Sequence, residues 1–214
     1  GTGGAGGAAA SEEPYFDAEE LALLDRVAKC VKFVVWDFDL TVLSIHSFGM
    51  QIKASDVKDG LRSEEVLRSD FADLPFFRAI TEALLERGVK IAIASFGVYS
   101  TIQAYCDFAF PTDNPFNREN INTPSRVGGK DGCSLPHGKN LQLRMLVDDW
   151  AKVPRDSVMF FDDDGRNIEG AIADGYPHSF HAPEGFSQDL WAFAAERTCD
   201  AMGVAGTSDA GAAE

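Results

Sequence analysis

Short apolar runs, each followed at once by polar residues, constrain the fold of this chain more than any other feature. The first, VKFVVW from Val31, is nearly continuous and rich in β-branched residues. VKIAIA from Val89 and SVMFF from Ser157 repeat the pattern. Strands that are apolar on both faces are typical of a parallel sheet with helices covering both sides. The runs therefore predict the strands of a buried parallel sheet.

Amphipathic segments alternate with these runs. Asp17 and Glu20 have the spacing of a capping box at the start of the first segment. Pro75 opens the second, and Leu143–Trp150 carries the apolar stripe of the third. Strands that alternate with helices predict an α/β fold with a doubly wound, Rossmann-like parallel sheet flanked by helices. Ligand sites in such sheets lie beyond the carboxyl ends of the strands.

Length and composition fit one folded domain with small, polar ends. The chain has 214 residues, 45% of them hydrophobic, which is enough to bury one substantial core. Residues 1–14 and 201–214 are rich in glycine, alanine and polar residues, and they carry too little apolar surface to offset their ordering entropy. We predict disordered tails there and a single domain over residues 15–200.

The strong negative charge of the chain limits its partners. The formal net charge is -15 at pH 7. Such a chain repels the phosphates of nucleic acids and of anionic membranes, so we predict that it binds neither. An anionic substrate would have to be caught by a local cation or a metal ion.

Cysteine spacing and hydropathy favour a reducing compartment. Cys30, Cys106, Cys133 and Cys199 form no close pair in the sequence and match no zinc-ligand spacing, which predicts free thiols. No apolar run approaches the roughly 20 residues that span a bilayer. We therefore expect a cytoplasmic protein, although a chain that begins at Gly1 leaves room for an upstream targeting segment.

Two carboxylates directly follow the first predicted strand. Asp37 and Asp39 are separated by one residue, and they would point the same way only while the chain stays extended. Carboxylates this close do not ionise independently, so one pKa rises unless a cation lies between them. The pair therefore predicts either a metal site or an acid and a base.

Polar residues also follow the next strands. Ser95 ends the second strand, where backbone N–H groups can bind an anion, and Lys139 begins the third helix. Asp162 and Asp163 end the last strong strand. Taken singly, Ser95 could be a helix cap and Lys139 a solvated surface lysine. Because the carboxyl ends of parallel strands meet at one edge of the sheet, their joint placement favours a common site.

These motifs, in this order, resemble the four signature motifs of the haloacid dehalogenase (HAD) superfamily. The order is DxDxT, an apolar strand ending in serine, a lysine, and an apolar strand ending in DDxxxN, and it spans residues 33–168. FFDDDGRNI is especially similar to the matching segment of the magnesium-dependent phosphatases in that superfamily. The resemblance implies a HAD-like fold. In the dehalogenase branch the second aspartate is absent, so Asp39 favours phosphoryl chemistry over carbon–halogen cleavage.

The resemblance implies a covalent mechanism carried by the first motif. Asp37 would attack phosphorus and form an aspartyl-phosphate. Asp39 would first protonate the leaving oxygen and then activate the water that hydrolyses this intermediate. Thr41 would support the loop that follows the first strand, and it would lie beside the phosphate.

The later motifs would bind the phosphate and the metal. Ser95, the Phe96 amide and Lys139 would contact phosphoryl oxygens, and Lys139 would also offset charge on the nucleophile. The metal contacts would come from Asp37, the backbone carbonyl of Asp39, and Asp163. Asp162 would assist, and Asn167 or Asp164 would orient these carboxylates. Oxygen ligands beside a phosphate point to Mg²⁺.

Substrate selection is expected to depend on a short flap and a loop. The segment from Val42 to Ser69, here called the flap, is too short for a full cap domain and suits the capless members. Between residues 97 and 139 we predict a helix, a strand at Asp107–Phe110 and a loop over residues 114–137. Residues on these segments that could contact a leaving group, or be ordinary surface residues, are His46, Phe48, Arg126, Lys130 and His137. The resemblance associates such an open site with phosphoproteins or small phosphate esters.

The sequence therefore predicts a Mg²⁺-dependent phosphohydrolase whose partner is a phosphorylated protein or small molecule. A phosphotransferase or phosphomutase of the same superfamily is the alternative enzyme, but a mutase must exclude water while its intermediate waits. A non-catalytic metal-binding interaction domain is the other alternative, although loss of Asp37 or Asp39 would then be expected. Receiver domains place their lysine last, whereas Lys139 precedes the final acidic group.

Overall fold

The computed structural model describes residues 15–205, and over that range the chain forms one parallel sheet flanked by helices. The sheet has five strands in the order β3-β2-β1-β4-β5. Every adjacent pair of strands is parallel. The strands are β1 Phe33–Trp36, β2 Lys90–Ala94, β3 Ile121–Asn122, β4 Val158–Asp162 and β5 His178–His181. This is the Rossmann-like α/β arrangement that the apolar runs predict.

Eight α-helices within the described residues connect and cover the strands. They are α1 Ala18–Cys30, α2 Ala54–Lys58, α3 Glu64–Asp70, α4 Leu74–Glu86, α5 Tyr99–Ala109, α6 Asn140–Arg144, α7 Gly165–Ala173 and α8 Gln188–Ala201. α6 continues directly into a π-helical segment, Met145–Ala151. In this part of the chain, no helix is both long enough and apolar enough to cross a membrane.

Local sequence signals determine where helices begin. The Asp17 carboxylate accepts a hydrogen bond from the Glu20 N–H, and the Glu20 carboxylate accepts one from the Asp17 N–H. This reciprocal pair is the predicted capping box at the start of α1. Asp73 caps α4 by accepting from the Phe76 N–H at 3.0 Å, and Pro75 lies in the first turn, where its missing N–H is not needed.

Alternate side chains of the central strand enter two separate cores. Val34 and Trp36 of β1 pack on one face of the sheet, and Phe33 and Val35 pack on the other. In the first core the Phe186 ring meets Trp36 edge-on, with 5.6 Å between ring centroids. Because helices cover both faces, every residue of β1 is buried. This burial explains why apolar and polar residues do not alternate in the sequence of β1.

The prediction of a strand at Asp107–Phe110 is wrong. Residues 107–109 complete α5, whose buried side chains include Ile102, Tyr105 and Ala109. Those three follow helical spacing and form one face of the helix, so the apolar residues near position 108 belong to a helical rather than an extended pattern. The edge strand is β3, which pairs with β2 over only two residues.

The predicted tails lie almost wholly outside the described residues. α8 ends at Ala201, the first residue of the predicted C-terminal tail, and residues 202–205 follow it. The rest of both tails, residues 1–14 and 206–214, falls outside the described range.

All four cysteines are free thiols. Cys133 is exposed and the other three are buried. Cys30 on α1 and Cys199 on α8 lie close to each other, because these two helices pack together. Their separation in the sequence conceals this proximity.

A buried charge network joins the flap to α5. Asp70 accepts hydrogen bonds from Arg62 Nε at 3.0 Å and from Arg62 Nη2 at 2.6 Å. The Tyr105 hydroxyl donates to the same carboxylate at 2.6 Å. Burial, together with this hydrogen bond, raises the pKa of Tyr105 above its usual range. Asp70 is almost fully buried, so its charge depends on Arg62 for compensation.

Replacing Arg62 by alanine is therefore expected to lower the free energy of unfolding by about 3 kcal/mol, because the Asp70 charge stays buried after its cation is removed. Urea denaturation followed by circular dichroism measures the change. Arg68→Ala is the matched control, since Arg68 and its partner Glu64 are both exposed and such pairs contribute about 0.5 kcal/mol or less. Equal losses in the two variants would contradict the interpretation.

Candidate functional site

The carboxyl ends of β1 and β4 lie side by side at the centre of the sheet. From β1 the chain proceeds to β2 and β3 on one side, and it then returns to β4 and β5 on the other. In doubly wound sheets, ligands bind in the crevice at the point where the strand order reverses. Asp37 follows β1 and Asp162 ends β4, so both lie at this crevice.

Three carboxylates converge there. One oxygen from each of Asp37, Asp162 and Asp163 lies within 4.8 Å of the others. Asp37 and Asp162 are buried, with 6% and 0% of their surfaces exposed, and Asp163 is half-buried. These three residues are called the acidic triad below.

Lys139 supplies a buried positive charge beside the acidic triad. Its Nζ lies 2.5 Å from Asp37 Oδ1 and 3.2 Å from Asp162 Oδ2. It also donates to the Ala94 carbonyl at 2.7 Å and lies 4.7 Å from the centre of the Phe96 ring. Only 1% of the Lys139 surface is exposed. This one side chain therefore connects the ends of β1, β2 and β4.

The charges of this cluster do not balance. Burial would lower the pKa of Lys139, but the Asp162 and Asp37 carboxylates outweigh burial and raise that pKa. Burial raises the pKa of Asp37 well above its usual value, while Lys139 opposes the shift and Asp162 adds to it. Burial also raises the pKa of Asp163. Three carboxylates thus share one ammonium group, and such a set of oxygen ligands suits a hard divalent cation.

Neighbouring donors fix the orientation of Asp162. Asn167 Nδ2 donates to both carboxylate oxygens, at 3.0 and 3.1 Å, and the Asp164 N–H donates to Oδ1 at 2.8 Å. Thr41 is fully buried, and its hydroxyl accepts from the Asp163 N–H at 3.0 Å. Thr41 thereby links the turn after β1 to the end of β4. Its predicted contact with a phosphate stays a prediction.

A tight turn after β1 directs Asp39 away from the acidic triad. Within residues 38–42 the backbone is extended at Asp39 and left-handed at Leu40, whose φ of 61° is a value that few non-glycine residues adopt. Ser47 Oγ donates to Asp39 Oδ1 at 2.6 Å, and the Phe48 N–H donates to Oδ2 at 3.2 Å. The Asp39 carboxylate is therefore held against the flap. The predicted metal contact through its backbone carbonyl stays a prediction.

The end of β2 forms another side of the site. Ser95 Oγ accepts from the Gly97 N–H at 3.0 Å, which closes the turn after the strand. Gln142 Nε2 donates to the Ser95 carbonyl at 2.8 Å and so anchors this turn to α6. Sequence reasoning missed Gln142 and Ser47. The position of Gln142 one helical turn after Lys139 is a usable signal, whereas nothing in the sequence marks Ser47.

A cleft of about 400 Å³ opens beside these residues. Its lining includes Asp37, Asp39, His46, Phe48, Ser95, Phe96, Asp163, Asp164 and Asn167. The structure therefore brings most of the predicted site residues to one cavity. Arg126 does not contribute to this lining, because its guanidinium binds the backbone carbonyls of Glu119 and Ile121. Lys130 is exposed and also lies outside the lining.

Comparison with models of known protein families, and with curated protein sequences, finds no match. The class of the protein therefore follows from its fold and its site alone. It is a Rossmann-like α/β protein with a five-stranded parallel sheet and a buried acidic triad that is a possible metal site.

A metal ion bound by the acidic triad should stabilise the fold. We expect saturating Mg²⁺ to raise the melting temperature of the intact protein by about 5 °C, since a ligand that binds only the native state shifts the unfolding equilibrium. Asp163→Asn removes a charged ligand that other side chains do not hold, so the Mg²⁺-induced increase should fall by at least half. Differential scanning fluorimetry measures both.

Asp59→Asn is the control for this change, because Asp59 is an exposed carboxylate at the end of α2. Its Mg²⁺-induced increase should equal that of the unmodified protein. An unchanged increase in Asp163→Asn would mean that the ion binds elsewhere.

Proposed function

We propose that this protein is a Mg²⁺-dependent phosphohydrolase of the HAD superfamily that cleaves phosphate monoesters through an aspartyl-phosphate on Asp37. The observation that carries the proposal is the position of Lys139, buried between Asp37 and Asp162. Lys139 and Asp37 are 102 residues apart in the chain, yet their charged atoms are in contact. Their motifs follow the order of the superfamily, and their side chains share the crevice where such sheets bind ligands.

The acidic triad fits the proposed metal. Asp37 and Asp163 would hold Mg²⁺, with Asp162 assisting and held in place by Asn167. When bound, Mg²⁺ supplies positive charge that reduces the repulsion between the nucleophile and an anionic phosphate. Lys139 supplies further positive charge to the Asp37 carboxylate, which it contacts directly.

Asp37 is the nucleophile in the proposed reaction. Lys139 holds its Oδ1, which orients the carboxylate at the base of the cleft. An Asp37 oxygen attacks phosphorus, a new P–O bond forms, and the bond between phosphorus and the leaving oxygen breaks. Ser95 and the Phe96 amide lie at the cleft wall, where they would bind the phosphoryl oxygens.

Asp39 transfers the protons in both steps. As a carboxylic acid it donates its proton to the leaving oxygen. As a carboxylate it then takes a proton from water, which attacks phosphorus and breaks the bond to Asp37, releasing phosphate. The Ser47 hydroxyl and the Phe48 N–H hold the Asp39 carboxylate beside the cleft but apart from the acidic triad, so it can act on the leaving group without becoming a fourth carboxylate of the charge cluster.

The openness of the site favours hydrolysis over phosphoryl transfer between two positions of a substrate. A mutase must keep water away from its aspartyl-phosphate. Here the cleft adjoins a second, larger cavity of about 600 Å³, so water has access. A domain that only binds a metal would not require Asp39 to be held apart from the acidic triad. Phosphoproteins and small phosphate esters are the proposed substrates.

The intact protein is expected to hydrolyse p-nitrophenyl phosphate in the presence of Mg²⁺ and to lose this activity with EDTA. Asp37→Asn should lower kcat by roughly a thousandfold, because an amide cannot serve as the nucleophile. Absorbance of the released p-nitrophenolate measures both, and Asp59→Asn should retain full activity. A fully active Asp37→Asn variant would exclude the covalent mechanism.

Asp39→Asn should separate the two chemical steps. p-Nitrophenolate leaves readily without protonation, so the first step should persist, whereas hydrolysis of the intermediate loses its general base. We expect a burst of p-nitrophenolate equal to the enzyme concentration, followed by a rate about a hundredfold below that of the intact protein. Stopped-flow absorbance would detect the burst. Loss of the burst together with the steady rate would contradict the assignment of Asp39 to the second step.

A further inference from the structure

Residues 46–49 of the flap surround the Asp39 carboxylate. Ser47 Oγ donates to Oδ1 at 2.6 Å, and the Phe48 N–H donates to Oδ2 at the longer distance of 3.2 Å. Oδ1 is therefore the more tightly held oxygen, and Oδ2 is the one available to exchange a proton with a leaving group. In the proposed reaction the leaving oxygen must come within hydrogen-bonding distance of Oδ2, which is about 2.7 Å.

The His46 ring lies next to the same carboxylate oxygen. Its Nδ1 is 3.4 Å from Asp39 Oδ2, and the ring lines the cleft. Because the leaving oxygen and the ring both adjoin Oδ2, they are neighbours of each other. The His46 side chain is 54% exposed, so a leaving group bound in the cleft has access to the ring.

The Gly49 N–H determines which nitrogen of the His46 ring carries the proton. It donates to Nδ1 at 2.8 Å, so Nδ1 is an acceptor and the proton of the neutral ring is on Nε2. A Cβ at position 49 would lie 3.0 Å from Nδ1, which explains why a glycine suits this position. Within residues 15–205, Nε2 makes no hydrogen bond. An N–H donor beside the leaving group is thus available to a substrate.

Contacts on both sides of His46 hold the flap in place. The Phe48 ring packs so closely on Gly132 that a Cβ there would lie 2.0 Å from a ring carbon. Gly132 has a φ of +83° and donates its N–H to the Phe96 carbonyl at 2.7 Å. The Met50 N–H donates to the His46 carbonyl at 2.9 Å, which closes the turn that carries the ring. The Nε2–H donor therefore has a defined position at the cleft.

We infer that His46 binds the leaving group through its Nε2–H, which donates to an uncharged oxygen on the carbon next to the ester carbon. The preferred substrates are then phosphate monoesters of 1,2-diols. This inference rests on the proposed phosphohydrolase function. Beyond the ester oxygen itself, an oxygen on that carbon is the nearest acceptor that a stable alcohol carries, which matches a donor adjoining the leaving oxygen. A carboxylate there would be repelled by Asp39 and the acidic triad, whereas a hydroxyl would not.

Esters that differ in one hydroxyl group test the inference. 1,2-Propanediol 1-phosphate carries a hydroxyl on the carbon next to the ester carbon, and propyl phosphate carries none. The measured quantity is the ratio of their kcat/KM values with Mg²⁺ present, obtained from the release of inorganic phosphate. Comparing this ratio between the intact protein and a variant cancels the difference in intrinsic reactivity of the two esters.

Two replacements of His46 separate binding of the leaving group from support of the flap. His46→Asn has a polar atom near Nδ1 but none at Nε2, and it should lower the ratio about fivefold, the effect of one neutral hydrogen bond. His46→Gln has an N–H group that reaches the position of Nε2, so its ratio should stay within about twofold of that of the intact protein.

Met50→Ala is the matched control, because Met50 is an exposed flap residue that does not line the cleft. It should leave the ratio unchanged. An unchanged ratio in His46→Asn would overturn the inference while leaving the phosphohydrolase proposal intact. An equal fall in His46→Asn and His46→Gln would indicate a structural role of the ring, and this result would overturn it as well.

Binding distinguishes failure of the His46 inference from failure of the proposed function. If the intact protein hydrolyses neither ester, isothermal titration calorimetry of the same protein with Mg²⁺ replaces the rate measurement. Binding of the diol ester about fivefold more tightly than propyl phosphate, with this preference lost in His46→Asn, would refute the phosphohydrolase proposal and support the role of His46. Equal binding of the two esters, or binding of neither, would overturn both.

Discussion

The contact of the Lys139 ammonium with Asp37 and Asp162 is the interaction on which the site depends. Burying any of these charges alone would be strongly unfavourable, and together they are partly compensated. The contact requires β1 and β4 to be neighbours, and the hydrogen bond from Lys139 to Ala94 ties in the end of β2. Fold and site are thus interdependent, because the sheet order that buries the core also brings these charges together.

The turn after β1 gives two adjacent carboxylates different environments. Leu40 adopts a left-handed backbone conformation that costs about 1 kcal/mol for a residue with a side chain. This conformation leaves Asp37 in the charge cluster and turns Asp39 toward Ser47 and the Phe48 N–H. The Asp37 carboxylate contacts the buried Lys139 ammonium, and the Asp39 carboxylate accepts from neutral donors, which suits the proposed nucleophile and the proposed proton-transfer group respectively.

Sequence reasoning predicts the parts of this structure that depend on local pattern. The strand after Val31 and the carboxylates at its end are predictable, since buried parallel strands lack polar alternation and their ends converge. The hydrogen-bond partners of Asp39 are not predictable, because Ser47 belongs to a segment whose sequence has no periodicity. The edge strand β3 spans only two residues and is too short to show a period of two, so the sequence does not predict it. The contact between Phe48 and Gly132 joins distant loops and has no local signature.

The charge balance of the cluster bears on the order of events at the site. Asp37, Asp162 and Asp163 carry more negative charge than Lys139 can offset, and the whole chain repels anions. A phosphate entering beside Asp37 would add further negative charge to a buried region, where screening by water is weak. A divalent cation would therefore have to be bound before or together with the phosphate. Under the proposed function, the same excess of carboxylates that makes the triad a possible metal site would make the metal a condition for binding the phosphate.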